Sequence, residues 1–329
     1  MEFDLIELIR RRCEIAREDV RLGIGDDAAL LAVPIGQLLA MSTDTLVSGV
    51  HFPQATSAHA IGWKALAVNL SDLAAMGATP AWATLALTLP SADRAWVSDF
   101  ADGFAALAQE FKLALVGGDT TQGPLCVTVT IIGFVPDGAA LVRSGARTGD
   151  AIFVTGTLGD AAGGLRLSSG ALRDDIGATV AASVSESVRG ALIERLQRPR
   201  PRIAQGLLLR GRATACIDVS DGLLADLGHI GAAGRVGAEI DAESLPASSA
   251  LLSAFDAPTR QRLQLGGGDD YELCFTANDD DADVLLGDLA RSGCGATRIG
   301  RIVAEPGVRA RDRQGTEIVV AHSGWQHFS

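Results

Sequence analysis

The chain has 329 residues, of which 47% are hydrophobic, and a mean hydropathy of +0.23. This is enough apolar material for two domains with separate cores, and it excludes general disorder. The net charge is −12 and lysine occurs only at positions 64 and 112, which argues against a general nucleic-acid-binding protein. No apolar run is long enough to cross a membrane, and the acidic start is atypical of a signal peptide. The five scattered cysteines form no Cys-x-x-Cys pair, so we expect reduced thiols and a cytoplasmic protein.

The first half of the chain alternates helical and strand patterns, which is typical of a mixed α/β domain. Ser57 or Thr56 is expected to cap a long helix, and its Asn69 and Asp72, three residues apart, project from one side. Gly117-Gly118-Asp119-Thr120-Thr121 is predicted to be a compact turn. Helices are predicted at 4–18, 57–76 and 93–111, and strands at 28–33, 38–42, 82–89, 113–116 and 125–135.

The second half begins after a predicted linker, Pro136-Asp137-Gly138-Ala139. Residues 170–189 are rich in Ser, Ala and Asp, and we expect a variable surface connection there. The remaining pattern again alternates between helix and strand. Strands are predicted at 151–155, 213–217 and 271–276, and helices after Gly159, at 203–209 and at 223–232.

A small residue followed by aspartate recurs along the whole sequence. Carboxylates at the ends of apolar segments suit hard cations, which prefer oxygen ligands. Any single case is also explained by a turn, because Asp bonds its own backbone and Gly accepts a positive φ. Six such cases favour one magnesium–polyphosphate site. They are Gly25-Asp26-Asp27, Ser42-Thr43-Asp44, Ser71-Asp72, Gly117-Gly118-Asp119, Asp218-Val219-Ser220-Asp221-Gly222 and Gly268-Asp269-Asp270.

Common phosphate-binding motifs are missing. Neither lysine lies in a Walker A loop, and the protein-kinase motifs do not occur. An acidic site therefore has to hold polyphosphate through divalent cations, with Arg143 as an additional phosphate contact. A dinucleotide site is a distant alternative, at Gly23–Ala28 or at Gly156-Thr157-Leu158-Gly159, where the spacing departs from G-x-G-x-x-G.

For three side chains, the sequence allows both a functional and a structural interpretation. His51 contacts a ligand or is a satisfied loop histidine. Asp221 binds a cation or serves as the N-cap of the following helix. Trp325, in a polar tail, covers a ring-shaped ligand or anchors the tail.

With these motifs in view, the chain resembles the bacterial thiamine-monophosphate kinase family, of the aminoimidazole-ribonucleotide-synthetase-like ATP-binding superfamily. The resemblance spans nearly the whole chain, and its motifs occur in family order. They are Gly23-Ile24-Gly25-Asp26-Asp27, Ser42-Thr43-Asp44-Thr45-Leu46-Val47, His51-Phe52, the stretch from Lys64 to Ala78, Gly117-Gly118-Asp119-Thr120-Thr121, Arg143-Ser144-Gly145, Asp218-Val219-Ser220-Asp221-Gly222 and Asp270-Tyr271-Glu272-Leu273.

The resemblance implies an α/β (α+β) two-domain PurM-like fold. Residues 1–137 would form an ATP- and Mg-binding domain whose mixed sheet pairs in a homodimer. Residues 138–329 would form a C-terminal α/β domain that completes the active site. The implied reaction transfers the γ-phosphoryl group of ATP to thiamine monophosphate and gives thiamine diphosphate and ADP.

The resemblance also implies roles for individual residues. No residue is assigned as a direct catalyst; Asp44, Asp72 and Asp119 would act through Mg²⁺. ATP would contact Gly118, Asp119, Arg143 and Ser220, and thiamine monophosphate would contact His51, Asp269 and Trp325. Several Mg²⁺ ions would bind Asp27, Ser42, Thr43, Asp44, Asp72, Asp119, Asp218 and Asp221.

One position departs from the family pattern, since Asp269 stands where a glutamate is usual. Two other functions are compatible with the motifs: a different ATP-dependent synthetase of the same fold, and a Mg-nucleotide-binding protein without catalysis. The first would use another acceptor, and the second would bind ATP without turnover. A nicotinamide oxidoreductase is a more distant alternative.

Overall fold

The computed structural model describes residues 2–169 and 184–328. The chain divides into two compact units, one of Met1–Leu73 with Ala78–Ala140, the other of Ala74–Gly77 with Leu141–Ser329. Of the predicted connection at 170–189, residues 170–183 lie outside the described part of the chain. A helix begins within its last residues, at Glu186.

The first unit is built on a four-stranded sheet. Its elements are α1 (Glu2–Arg12), β1 (Val20–Leu22), β2 (Leu30–Leu31), β3 (Gln37–Val47), α2 (Ala58–Ala75, of which the last two residues group with the second unit), β4 (Thr79–Leu89), α3 (Arg94–Phe111), β5 (Ala114–Gln122) and β6 (Cys126–Pro136). The sheet order is β3-β6-β4-β5. Only the β4–β5 pair is parallel, as expected because helix α3 connects those two strands.

The long helix α2 confirms its prediction within one residue at each end. The Ala60 N–H donates to Ser57 Oγ at 3.3 Å, and Gly77 follows the helix with a φ of +62°, a common way to end a helix. Nearly every side chain of α2 is buried, on all sides of the helix and including the polar Lys64, Asn69 and Ser71. It therefore lies inside the fold rather than on the surface.

Strands β3 and β5 are longer than predicted. Ser42, Thr43 and Asp44 lie inside β3 and not at its end, because the full strand pairs with β6 over eleven residues. The predicted turn at Gly117–Thr121 is wrong, since these residues continue β5. A bulge against β4 and a glycine at 118, where a Cβ would lie 1.8 Å from the Leu85 carbonyl oxygen, let the strand continue at close approach.

The second unit contains a six-stranded sheet in the order β12-β9-β11-β7-β10-β8. Its elements are β7 (Ala151–Thr155), α4 (Asp160–Ser169), α5 (Glu186–Gln197), α6 (Ile203–Leu209), β8 (Ala213–Asp218), α7 (Leu223–Gly234), β9 (Gly237–Asp241), α8 (Ser249–Ala254), α9 (Ala257–Gly266), β10 (Leu273–Ala277), α10 (Ala282–Arg291), β11 (Ala296–Val303) and β12 (Gly307–Arg311). Strands β7, β8 and β10 are apolar and form the centre of the unit with Leu223, Leu227 and Ile230 of α7. The strand ends carry the residues of interest.

Helices α2 and α3 meet at glycines. A Cβ on Gly103 would lie 1.9 Å from the His59 carbonyl oxygen, and one on Gly62 would lie 2.0 Å from that of Phe100. Such distances are shorter than any van der Waals contact, so each glycine makes room for the backbone of the other helix.

We predict that Gly103→Ala lowers the free energy of unfolding by about 1–3 kcal/mol or more, because the new methyl group overpacks the interface. Gly190→Ala in α5 is the control, since a Cβ there meets no atom within 4 Å. The control should be neutral or stabilising by roughly 0.5–1 kcal/mol through helix propensity. Thermal unfolding measures both. Equal effects of the two substitutions would contradict the close helix contact.

Candidate functional site

In the first unit, one group of polar side chains joins β3 to α2. Ser42 Oγ donates to Asp72 Oδ2 at 2.5 Å, and the Asp44 N–H donates to Asn69 Oδ1 at 3.1 Å. Asn69, fully buried, also donates to the Ala65 carbonyl at 3.0 Å. The helix therefore presents Asn69 and Asp72 on one side, as predicted. We call Ser42, Asp44, Asn69 and Asp72 the helix–strand polar cluster.

Two predicted ligands of the same unit lie elsewhere on the sheet. Side chains alternate along a strand, so Thr43 faces away from α2, and its hydroxyl is 2.9 Å from that of Thr130. Asp119 lies on β5 in the row that runs through Ala86 and Thr128 to Thr45. Three strand spacings separate the ends of this row, about 14 Å.

The remaining predicted residues of the unit lie in loops. Asp27 is exposed, and its N–H donates to Asp26 Oδ1 at 2.8 Å, so Asp26 is the turn-forming residue of the pair. His51 Nδ1 accepts the Val47 N–H at 3.0 Å, and buried Lys64 donates to the His51 carbonyl at 3.1 Å. The His51 ring thus has a structural bond at one nitrogen.

In the second unit, three stretches of backbone meet after β8. Beyond the paired strands, the Tyr271 N–H donates to the Val219 carbonyl and the Asp269 N–H to the Ser220 carbonyl, both at 2.8 Å. The Trp325 N–H donates to the Asp221 carbonyl at 3.0 Å. We call the stretches Ser220–Gly222, Gly266–Tyr271 and His322–Trp325 the three-segment junction. It brings together four predicted site residues: Ser220, Asp221, Asp269 and Trp325.

Side chains around the junction set the charge of Asp221. This carboxyl is half-buried, and burial raises its pKa, with a further rise from Asp269. His327 and His229 act in the opposite direction. Asp269, His229 and His327 are therefore all close enough to Asp221 to act on its charge.

Trp325 is held through its backbone N–H, while its ring is half-exposed. The indole is 54% exposed, and it makes an edge-to-face contact with His327 at 6.2 Å. Gly324 lets the tail pass close to α7, because a Cβ there would lie 2.5 Å from the Ala225 Cβ. The ring therefore remains available to a ligand.

Two further predicted residues belong to this unit. Asp218 ends β8 and is 4% exposed. Arg143 is exposed in a short 3-10 helix, Arg143–Gly145. Within residues 2–169 and 184–328, no group of three or more His, Cys, Asp or Glu side chains is arranged to hold a metal ion. The predicted eight-residue metal set stays a prediction.

Comparison with known proteins gives the same family for the whole chain. Models of AIR synthase related proteins match residues 25–135 as the N-terminal domain and 147–313 as the C-terminal domain. The thiamine-monophosphate kinase of Escherichia coli K12 is 48% identical over 331 aligned residues, covering 100% of this chain and 98% of the relative. This chain belongs to the thiamine-monophosphate kinase family.

Solved structures agree. The thiamine-monophosphate kinase of Stenotrophomonas maltophilia is 52% identical with a TM-score of 0.85, covering 94% of this chain and 96% of that one. AaThiL, complexed with AMPPCP and TMP, is 31% identical with a TM-score of 0.76, covering 99% and 97%. The predicted family and its two-domain PurM-like α/β fold are confirmed.

Sequence reasoning missed a residue that shapes the junction in this thiamine-monophosphate kinase family member. Asp226 Oδ2 accepts the N–H groups of Ser220, Asp221 and Gly222 at 3.0, 3.1 and 3.0 Å. The N-cap of α7 is Gly222, without a side-chain bond, so the N-cap interpretation of Asp221 is wrong. An acidic residue in the first helical turn was the available signal.

A buried ionic cluster was missed as well. Glu272, fully buried, accepts Arg195 Nη2 at 2.8 Å, Arg202 Nε at 2.6 Å and the Thr155 hydroxyl at 2.7 Å. Asp160 lies 3.7 Å from Arg195 Nε. The two guanidinium groups line a cavity of about 340 Å³, but the two carboxylates offset their charge.

The glycine motif after β7 does not serve a dinucleotide. The N–H groups of Gly159 and Ala161, at the start of α4, donate to Asp270 at 2.6 and 3.3 Å. A pyrophosphate would need these helix N-terminal amides. The chain's own carboxylate occupies them, which removes the main sequence argument for the nicotinamide alternative.

We predict that Asp270 makes the stability pH-dependent. Burial raises its pKa to about 8, against the hydrogen bond from Gly159, which lowers it. A carboxyl with a raised folded-state pKa contributes stability that is fully present below its unfolded pKa of 3.8 and is lost as the pH rises through about 8. The Tm of wild type minus the Tm of Asp270→Asn should therefore fall from pH 5 to pH 9. A constant difference would show that Asp270 does not titrate in this range.

Proposed function

We propose that this chain phosphorylates thiamine monophosphate with ATP by direct transfer. A terminal phosphate oxygen of thiamine monophosphate attacks the γ-phosphorus of ATP, and the bond from that phosphorus to the β–γ bridging oxygen breaks. The products are thiamine diphosphate and ADP. The carrying observation is membership of a family whose curated relatives have this activity in their names at full-length coverage, together with AaThiL, complexed with AMPPCP and TMP.

The donor chemistry of both units supports this proposal. The helix–strand polar cluster offers the carboxylates of Asp44 and Asp72 with a serine hydroxyl, and the junction offers Asp221 and Ser220. All are oxygen donors, which Mg²⁺ prefers. Bound Mg²⁺ would offset the charge of the two anionic reactants and fix the transferring group in line.

We assign the predicted residues to this reaction as follows. Asp27, Ser42, Thr43, Asp44, Asp72, Asp119, Asp218 and Asp221 would hold Mg²⁺, while Gly118, Asp119, Arg143 and Ser220 would contact ATP and His51, Asp269 and Trp325 the acceptor. The side chains of this chain would bind, orient and exclude water, since phosphoryl transfer depends on positioning more than on a strong base.

We also propose a cytoplasmic homodimer. The thiols of Cys13, Cys126, Cys216, Cys274 and Cys294 are all free, which suits a reducing compartment. None of the described helices is long and apolar enough to cross a membrane. On β3, Leu39 and Met41 are 50% and 69% exposed on the sheet face shared with Thr43, an apolar surface suited to a second copy. A monomer mass by light scattering at micromolar concentration would contradict the dimer.

Turnover of the purified chain tests the function directly. ATP, Mg²⁺ and thiamine monophosphate should yield thiamine diphosphate and ADP in equal amounts. ATP consumption that needs another acceptor would favour a different synthetase of the same fold. Nucleotide binding without any product would favour a non-catalytic Mg-nucleotide-binding protein.

We predict that Asp72→Asn lowers kcat by at least roughly a hundredfold, because it removes a carboxylate from the place where charge develops. The asparagine Oδ1 can still accept the Ser42 hydroxyl that Asp72 now accepts, so the fold should be kept. Steady-state kinetics and a melting curve measure the two effects. Near-wild-type turnover would leave Asp72 with a purely structural bond to β3.

We predict that Trp325→Ala raises KM for thiamine monophosphate far more than KM for ATP. A thiazolium cation on an indole face is worth roughly 0.5–2 kcal/mol, which corresponds to about 2- to 30-fold in affinity. The Tm should be unchanged, because the tail is held by the Trp325 N–H and not by the exposed ring. Trp96→Ala, in a stacked pair with Phe100, is the control that should lower Tm without separating the two KM values.

A further inference from the structure

The Ser220–Gly222 loop is controlled by a single buried oxygen. Asp226 Oδ2 lies 3.0–3.1 Å from three consecutive backbone nitrogens, those of Ser220, Asp221 and Gly222. Asp226 itself is 3% exposed and belongs to the first turn of α7. Since all three hydrogen bonds end on this one buried side chain, the three N–H groups all turn inward.

The direction of the N–H groups determines the direction of the carbonyls. The chain contains no cis peptide bond among its described residues, and in a trans peptide the N–H and the preceding carbonyl point to opposite sides. The three peptide groups that donate to Asp226 therefore present the carbonyls of Val219, Ser220 and Asp221 outward.

Each outward carbonyl binds one backbone N–H of a different part of the junction. Val219 accepts from Tyr271, Ser220 accepts from Asp269, and Asp221 accepts from Trp325, at 2.8, 2.8 and 3.0 Å. One carboxylate thus aligns three peptide groups, and those groups in turn hold two segments that are about fifty and a hundred residues further along the chain.

Local geometry leaves this task to Asp226. The N-cap residue Gly222 has a φ of +137° and no side chain to bind the loop. At the same time, Gly268 approaches the Ser220 carbonyl so closely that a Cβ would lie 2.4 Å from it. Without the carboxyl group, one buried and two partly buried donors would lose their acceptor, a costly situation that favours a rearranged loop.

We propose that Asp226 is a positioning residue that aligns both halves of the substrate-binding machinery in the second unit. Through the inward N–H groups it sets Ser220 and Asp221, the candidate contacts for ATP and Mg²⁺. Through the outward carbonyls it sets Asp269 and Trp325, the candidate contacts for the acceptor. This role rests on the proposed kinase function for the identity of the two ligands, but the geometry of the loop does not depend on it.

The test compares Asp226→Ala and Asp226→Asn with Ile230→Ala, a fully buried residue of the same helix that lies in the core. Ile230→Ala controls for lost stability without touching the loop. Amide hydrogen exchange should accelerate about tenfold or more in Asp226→Ala at six amides together: Ser220, Asp221, Gly222, Asp269, Tyr271 and Trp325. In Ile230→Ala, exchange at these six amides should not accelerate more than exchange elsewhere in the unit.

Ligand affinity is the second readout. In Asp226→Ala, the Kd for AMPPCP with Mg²⁺ and the KM for thiamine monophosphate should each rise about tenfold or more relative to Ile230→Ala. Asp226→Asn retains an acceptor oxygen without the charge, so it should lie between wild type and alanine in exchange and in affinity. This graded rescue distinguishes positioning from a general loss of stability.

Three outcomes would overturn the inference. Asp226→Ala could match Ile230→Ala in both affinities, exchange could accelerate only at the three loop amides, or wild type could fail to bind AMPPCP with Mg²⁺. If Asp226→Ala does not fold, the exchange pattern of Asp226→Asn tests the proposal instead. Faster amide exchange at Ser220–Gly222 alone, without Asp269, Tyr271 and Trp325, would contradict it. A wild-type chain that binds the nucleotide and makes no thiamine diphosphate overturns the kinase function. In that case, amide exchange and nucleotide affinity still test the positioning role of Asp226.

Discussion

Six hydrogen bonds at three consecutive peptide groups hold the second unit's candidate site together. Asp226 accepts the three N–H groups, and the opposite carbonyls receive the N–H groups of Tyr271, Asp269 and Trp325. Because a peptide group is planar and rigid, fixing one side fixes the other. The position of Asp226 in helix α7 therefore fixes, through the loop after β8, the positions of two segments that lie far apart in the sequence.

The first unit achieves a similar result with side chains. The α2 residues Asn69 and Asp72 bind the Asp44 backbone and the Ser42 hydroxyl of β3. Helix α2 is almost entirely buried, so its orientation is set by packing, and this packing directs Asn69 and Asp72 toward β3. A rigid, buried helix is a suitable support for carboxylates that must stay at fixed separations.

Burial divides the acids of this chain into two groups. Asp226, Asp270 and Glu272 are at most 3% exposed, and each accepts backbone amides or guanidinium groups of the protein itself. Asp27 and Asp119 are exposed, and Asp44, Asp72 and Asp221 are half-buried. Asp218, 4% exposed, is buried although it is one of the predicted Mg²⁺ ligands.

The sequence by itself was sufficient for the family, the two-domain fold, most helices and the aspartate motifs, because periodicity and motif spacing are local properties. It was not sufficient to predict the length of β5. The residues that look like a turn continue the strand, with a bulge and the glycine at 118. The sequence also did not distinguish the roles of the acids, since Asp221 and Asp226 are both aspartates close to the start of the same helix. Only the tertiary structure decided that Asp226 is buried beneath three amides and that Asp221 is half-buried within the influence of two histidines, because burial and the partners of a carboxylate depend on segments far away in the chain.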